Sequence, residues 1–257
     1  MKKMPALFIG HGSPMNILMD NEFTQSLAKL GRELPRPKSI MVISAHWPAK
    51  ATLVTCMKNP EQLYDFIGFP PELYQVRYPC PGAPGDAENV TRVTKYMVNC
   101  SMEWGLDHAS WAVLKHMYPD ADIPVFEMSL CDAMEPRYHY DMGRRLAPLR
   151  REGVLIIGSG NIVHNLRQMD YDMEAEPFDW AVEIDEKIKS LLIEGNHGKL
   201  ISYHDLGMNM TMAAPYGGDH YLPMLYTLGL QEQDEDITFT HEGFQHGTIS
   251  MRCFRIG

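Results

Sequence analysis

The chain has 257 residues, 45% of them hydrophobic and 22% charged, with a formal net charge of −10. This composition excludes a largely disordered chain, and the acidic balance excludes a nucleic-acid backbone as partner, since that binding depends on clustered Lys and Arg displacing counterions. No apolar run approaches the ~20 residues needed to cross a bilayer, so no membrane partner is expected.

The length suits one α/β domain spanning residues 1–257. Met1, Lys2, Lys3, Met4 and Pro5 lead straight into a strand-like run rather than a signal-peptide core, which predicts a cytoplasmic protein. Cys56, Cys80, Cys100, Cys131 and Cys253 are an odd, scattered set without a C-x-x-C pair, so reduced and mostly buried thiols are expected.

Short apolar runs bounded by Gly or Pro predict buried strands at residues 6–9, 40–44, 123–129 and 154–157. Amphipathic stretches of helical period lie at 22–34, 86–102, 138–151, 178–194 and 220–228. Strands alternating with helices predict an open, mostly parallel or mixed sheet flanked by helices. Residues 237–241 and 248–255 predict antiparallel strands added at an edge by the C-terminus. Between the first helices, residues 68–85 combine prolines and glycines with aromatic side chains. With Phe66 just before it, this stiff segment predicts a pocket wall or lid.

Histidines occupy unusual places in this pattern. His11 follows the first strand, His46 the second, and His164 comes just past residues 154–157. Ligands of open α/β sheets sit beyond the carboxyl ends of the strands, where side chains from neighbouring strands converge. Each histidine taken singly is explained as a strand cap; a shared metal explains all three at once. His220 follows Gly217 and Gly218 at the start of a predicted helix, where the dipole favours neutral imidazole, the form that binds metals. His108, beside Asp107 and near Trp111, is a candidate proton-transfer or substrate-contacting group. His116, His139, His197, His204, His241 and His246 read as surface or interface residues.

Other motifs fail. The glycines of Gly158-Ser159-Gly160 would need a third at Val163 to make a dinucleotide fingerprint, and neither a Walker lysine nor a G-x-S-x-G elbow occurs. The 19 methionines read as core filler.

Taken in order, Phe8 to Asn16 (FIGHGSPMN), Val42 to Trp47 (VISAHW), Leu106-Asp107-His108, Tyr118 to Pro124 (YPDADIP), Gly158 to Asn161 (GSGN) and Val163 to Arg167 (VHNLR) resemble the class III extradiol ring-cleaving dioxygenases, in particular their DOPA 4,5-dioxygenase branch. That resemblance runs from Pro5 to Gly257 and implies an α/β domain with a catalytic metal at one end of its sheet. It implies that His11, His46 and His220 bind the metal, and that His164 either approaches it as a fourth ligand or acts as acid/base. It assigns His108 a supporting or substrate-side place. The implied cofactor is one ion per chain, Fe(II) for turnover or Zn(II) as a bound metal. Implied partners are a small aromatic diol and O₂, converted to a muconic semialdehyde by a monomer or small homo-oligomer.

Where the family usually has Pro-Thr-x-Glu-His, this chain has Pro215-Tyr216-Gly217-Gly218-Asp219-His220, one residue longer and with Tyr for Thr, a departure that bears on the substrate wall near Tyr216 more than on the ligand His220. Trp47, Tyr74 and Tyr78 are further expected walls. Arg167 reads as a surface ion-pair residue, with a substrate carboxylate as the other possible partner. A metal-dependent hydrolase using the same histidines, or a non-catalytic binding module of the same fold, are the alternative functions.

Overall fold

The computed structural model describes residues 3–215 and 217–257. Its centre is a sheet built first from four parallel strands: β1 (Ala6–Gly10), β2 (Ser39–Ala49), β5 (Val125–Cys131) and β6 (Val154–Gly160), in the order β5-β2-β6-β1. Antiparallel strands extend it on one side, β10 (Cys253–Ile256) against β1 and β7 (Ile237–His241) against β10. On the other side β3 (Leu53–Thr55) runs antiparallel to β5, and β4 (Asn99–Ser101) runs parallel to β3. The α/β class, the largely parallel centre and the antiparallel C-terminal edge all match the sequence reading.

Alternating side chains divide the sheet into two apolar layers. Phe8, Met41, Ile43 and Ile156 face one core, beneath α4 (Pro136–Leu146), α6 (Asp179–Ile193) and α9 (Leu222–Gly229). Leu7, Ile9, Val42 and Ile157 face the other, beneath α1 (Glu22–Glu33) and α3 (His108–Met117). Period-two alternation between two covered faces is why these strands read as continuous apolar runs. Among the described residues, no helix is long and apolar enough to cross a membrane.

Several expected boundaries change. The helix expected over 86–102 is α2, which stops at Val93 (Pro84–Val93); Lys95 and Tyr96 turn the chain with φ of 54° and 63°, and β4 follows. Pairing with β3 overrides the helical period there, and Val98 is buried in the core. The helix expected over 138–151 breaks before Pro148, whose ring cannot continue the backbone ladder, leaving α4 and the short α5 (Pro148–Arg151). Residues 248–255 split into β9 (Ile249–Ser250), which pairs with β8 (Phe244–Gln245), and β10.

The cysteine expectation is corrected too. Cys56 and Cys100 form a disulfide with Cα atoms 5.6 Å apart, while Cys80, Cys131 and Cys253 are free and buried as expected. Cys100 lies in β4, opposite Val54, and Cys56 directly follows β3, so strand pairing brings together residues 44 apart in sequence. Reading β4 as helix hides that neighbourhood.

Candidate metal centre

The β1–β6 and β2–β6 pairings end together. Ser159 of β6 lies level with Ile9 of β1 and Ser44 of β2. His11 is therefore delivered just beyond β1 and His46 just beyond the last β2–β6 pair. In the β2–β5 ladder Ile43 faces Met128 but Pro48 faces Leu130, so a step of five residues in β2 answers a step of two in β5. This bulge frees Ser44 to Trp47 from the ladder, the usual device for aiming a side chain at a site.

His220 arrives from a different direction. Gly217 and Gly218 turn the chain with φ of +74° and +81° ahead of α9. A Cβ at Gly160 would stand 2.1 Å from the His220 carbonyl oxygen, so the glycine lets this backbone close onto the end of β6, where Asn161 donates its N–H to that carbonyl at 2.8 Å. Close approach of chain segments, rather than nucleotide binding, accounts for the Gly158-Ser159-Gly160 run.

The imidazoles meet. His46 Nε2 is 3.2 Å from His11 Nε2 and 3.2 Å from His220 Nε2. Each ring has its other nitrogen engaged. The Ser159 hydroxyl donates to the Ala109 carbonyl, leaving its Oγ to accept from His11 Nδ1 at 3.1 Å. His46 Nδ1 faces Asp65 Oδ2 at 3.2 Å, and His220 Nδ1 faces Asp219 Oδ1 at 3.0 Å. A proton held at each Nδ1 leaves three Nε2 lone pairs pointing at one another, an arrangement that favours a cation between them. Two imidazole nitrogens each ~2.1 Å from one ion and ~100° apart would be ~3.2 Å from each other. These residues fit a divalent metal.

Burial reinforces that state. It holds the pKa values of His11 and His220 well below the ordinary imidazole value, with the charges of neighbouring imidazoles adding to the effect. For His46 burial works the same way, but the Asp65 hydrogen bond and the Asp107, Asp65 and Asp219 charges outweigh it and raise the value.

His164 stands beside this trio. Its ring stacks on His220 with centroids 3.6 Å apart and planes within 7°, and one of its ring nitrogens groups with Asp219 and His220. The buried Nδ1 of His164 has no hydrogen-bond partner among the described residues. Burial, then the nearby His220, keeps its pKa well below normal. His108 begins α3, with Asp107 capping the helix by accepting the Ala109 N–H. Its ring lies 4.1 Å from that of His46.

Sequence reasoning missed Asp65. Its carboxylate accepts the His108 N–H, approaches His108 Nδ1 at 2.9 Å, and also faces His46. Burial would raise its pKa, but hydrogen bonds from both imidazoles hold it far below the carboxylate range. The only sequence signal was its place between Tyr64 and Phe66, just before the aromatic loop.

A cavity of about 940 Å³ opens above the imidazoles. Phe66, Ile67 and Phe69 line it, so the residues leading into the aromatic loop do form a wall. Other expected walls lie elsewhere: Trp47 stacks on Trp104, Tyr78 is buried against the Tyr118 carbonyl, and Tyr74 packs on Phe66 from behind. Tyr216 lies outside the described residues. His246 lines the cavity, and His139, expected at the surface, is fully buried against the Tyr226 hydroxyl at 3.2 Å. Arg167 is exposed.

Comparison with known proteins shows which family the chain resembles along its length. A 4,5-DOPA dioxygenase extradiol of Escherichia coli K12 is 44% identical, over 99% of this chain and 95% of its own length. One from Beta vulgaris is 33% identical, over 96% and 94%. A crystal structure of an uncharacterized protein from Escherichia coli K12 superposes with a TM-score of 0.87 at 41% identity, covering 99% of this chain and 100% of that one. Residues 5–253 match the model of the catalytic LigB subunit of aromatic ring-opening dioxygenase, and the chain belongs to this enzyme family.

Proposed function

We propose that residues 1–257 form one catalytic domain that cleaves the ring of a catechol, DOPA among them, beside its diol, consuming O₂ and yielding a muconic semialdehyde. His11, His46 and His220 hold one Fe(II) per chain; zinc suits the same imidazoles and can occupy the site without supporting turnover. The ion, when bound, acidifies the diol and couples its electrons to O₂.

The chain's own residues supply the rest. Ser159, Asp65 and Asp219 hold the proton of each neutral ligand ring at Nδ1, so that Nε2 is turned to the ion. His164, stacked against a ligand and facing the cavity, is neutral and able to take a hydroxyl proton and return it as the ring opens. His108, held by Asp65, positions the substrate side of the pocket. The observation that carries this reading is the convergence of three Nε2 atoms whose partner nitrogens are all engaged.

Anaerobic reconstitution with Fe(II), followed by oxygen-electrode and absorbance assays with a panel of catechols including DOPA, tests it. Oxygen uptake with growth of a semialdehyde chromophore is the expected result. Ester or amide hydrolysis without O₂ would instead make the site a hydrolase, and oxygen silence with every catechol would make the chain a binding module.

A further inference from the structure

The cavity is large for a single ring. Pockets of ~300–1,000 Å³ enclose drug-sized ligands, and this one reaches about 940 Å³. Its floor is polar, carrying the imidazoles with Asp65 and Asp219, and its upper wall is apolar.

That wall continues onto the surface. Ile67 is 91% exposed and Tyr171 94%, and with Leu166 at 48% and Met169 at 36% they line this same cavity. They come from two segments far apart in sequence, so they are not the accident of one loop. Exposed apolar groups gathered around one opening mark a place that something apolar covers. Met15, Met19, Met169 and Met173 add soft, adaptable surface. Charge points the same way: the described lining residues include no Lys or Arg. A carboxylate on a substrate tail would therefore be desolvated against methionine with no Lys or Arg side chain in the lining to offset the cost.

We propose that the preferred substrate is a catechol with an uncharged apolar extension, alkyl or a second aromatic ring, lying along Ile67, Phe69, Leu166, Met169, Tyr171 and Met173. This rests on the ring-cleaving reading and adds that the amino-acid head of DOPA is not the group for which the wall is shaped. A fully buried methylene strengthens binding about fourfold, so a short chain along a half-open wall has a measurable effect.

The test compares 4-methylcatechol, 4-butylcatechol and L-DOPA, by calorimetric binding to the zinc-loaded protein without oxygen and by kcat/KM of the iron-loaded protein. Binding of 4-butylcatechol should be at least tenfold tighter than that of the other two. The double variant Ile67→Asp/Met169→Asp should erase most of the gain from methyl to butyl; both side chains are exposed, so the core is untouched. Equal affinities for methyl and butyl, or DOPA binding as tightly as butyl, would overturn the proposal. Tail-dependent binding without cleavage would leave the wall standing and end the ring-cleaving reading, whereas cleavage without tail dependence does the reverse. Concentration-dependent dimerisation abolished by the double variant, seen by analytical ultracentrifugation, would assign the rim to a second copy of the chain and also overturn the proposal.

Discussion

The floor and the mouth of the cavity are built on opposite principles. On the floor each ligand imidazole is fixed twice, by its place after β1, in the bulge of β2 or ahead of α9, and by a hydrogen bond at Nδ1. At the mouth, Ile67 and Tyr171 sit on loops, almost wholly exposed. Rigid elements hold groups that must meet within tenths of an ångström, while loops carry groups that need only offer apolar area. Substitutions of the three ligand imidazoles should therefore be all-or-none, and substitutions around them graded.

The largest expected effect is at the trio. His11→Ala, His46→Ala or His220→Ala should lose bound metal and turnover together, as read by metal analysis and oxygen uptake. His164→Ala should keep most of its metal yet lose about 10²–10⁴-fold in kcat, the usual range for removing an acid/base group. Parental turnover in that variant would remove His164 from the proton path.

Asp65→Asn should cost about 10–100-fold in metal affinity or activity, because it weakens the partner that orients His46 and His108. The smallest effect on the site is expected from Cys100→Ser. Opening a loop of 44 residues should lower unfolding stability by ~2–4 kcal/mol in denaturant titrations. Metal content should stay at the parental level, since β4 lies at the far edge of the sheet.

Much of the floor was legible in the sequence. His11, His46 and His164 each follow an apolar run, and the rule that ligands gather beyond carboxyl strand ends places them together without coordinates. His220 was signalled by its glycine pair and the helix after it. Less was legible where long-range pairing decides the outcome. β4 carries a helical period but pairs with β3, and Cys56 and Cys100 become neighbours only through that pairing. Asp65 is a carboxylate in a loop, and only the folded chain sets it between two imidazoles. The wall was placed near the right segment with some wrong members, because the sequence does not say which aromatics of a loop turn inward: Phe66 and Phe69 line the cavity, and Tyr74 and Tyr78 do not.

X-ray absorption fine structure of the iron-loaded protein tests the shared-ion claim most directly. Three imidazole nitrogens at ~2.1 Å, falling to two in His46→Ala with whatever metal is retained, is the predicted result. A first shell containing sulfur, or one left unchanged by removing His46, would contradict it.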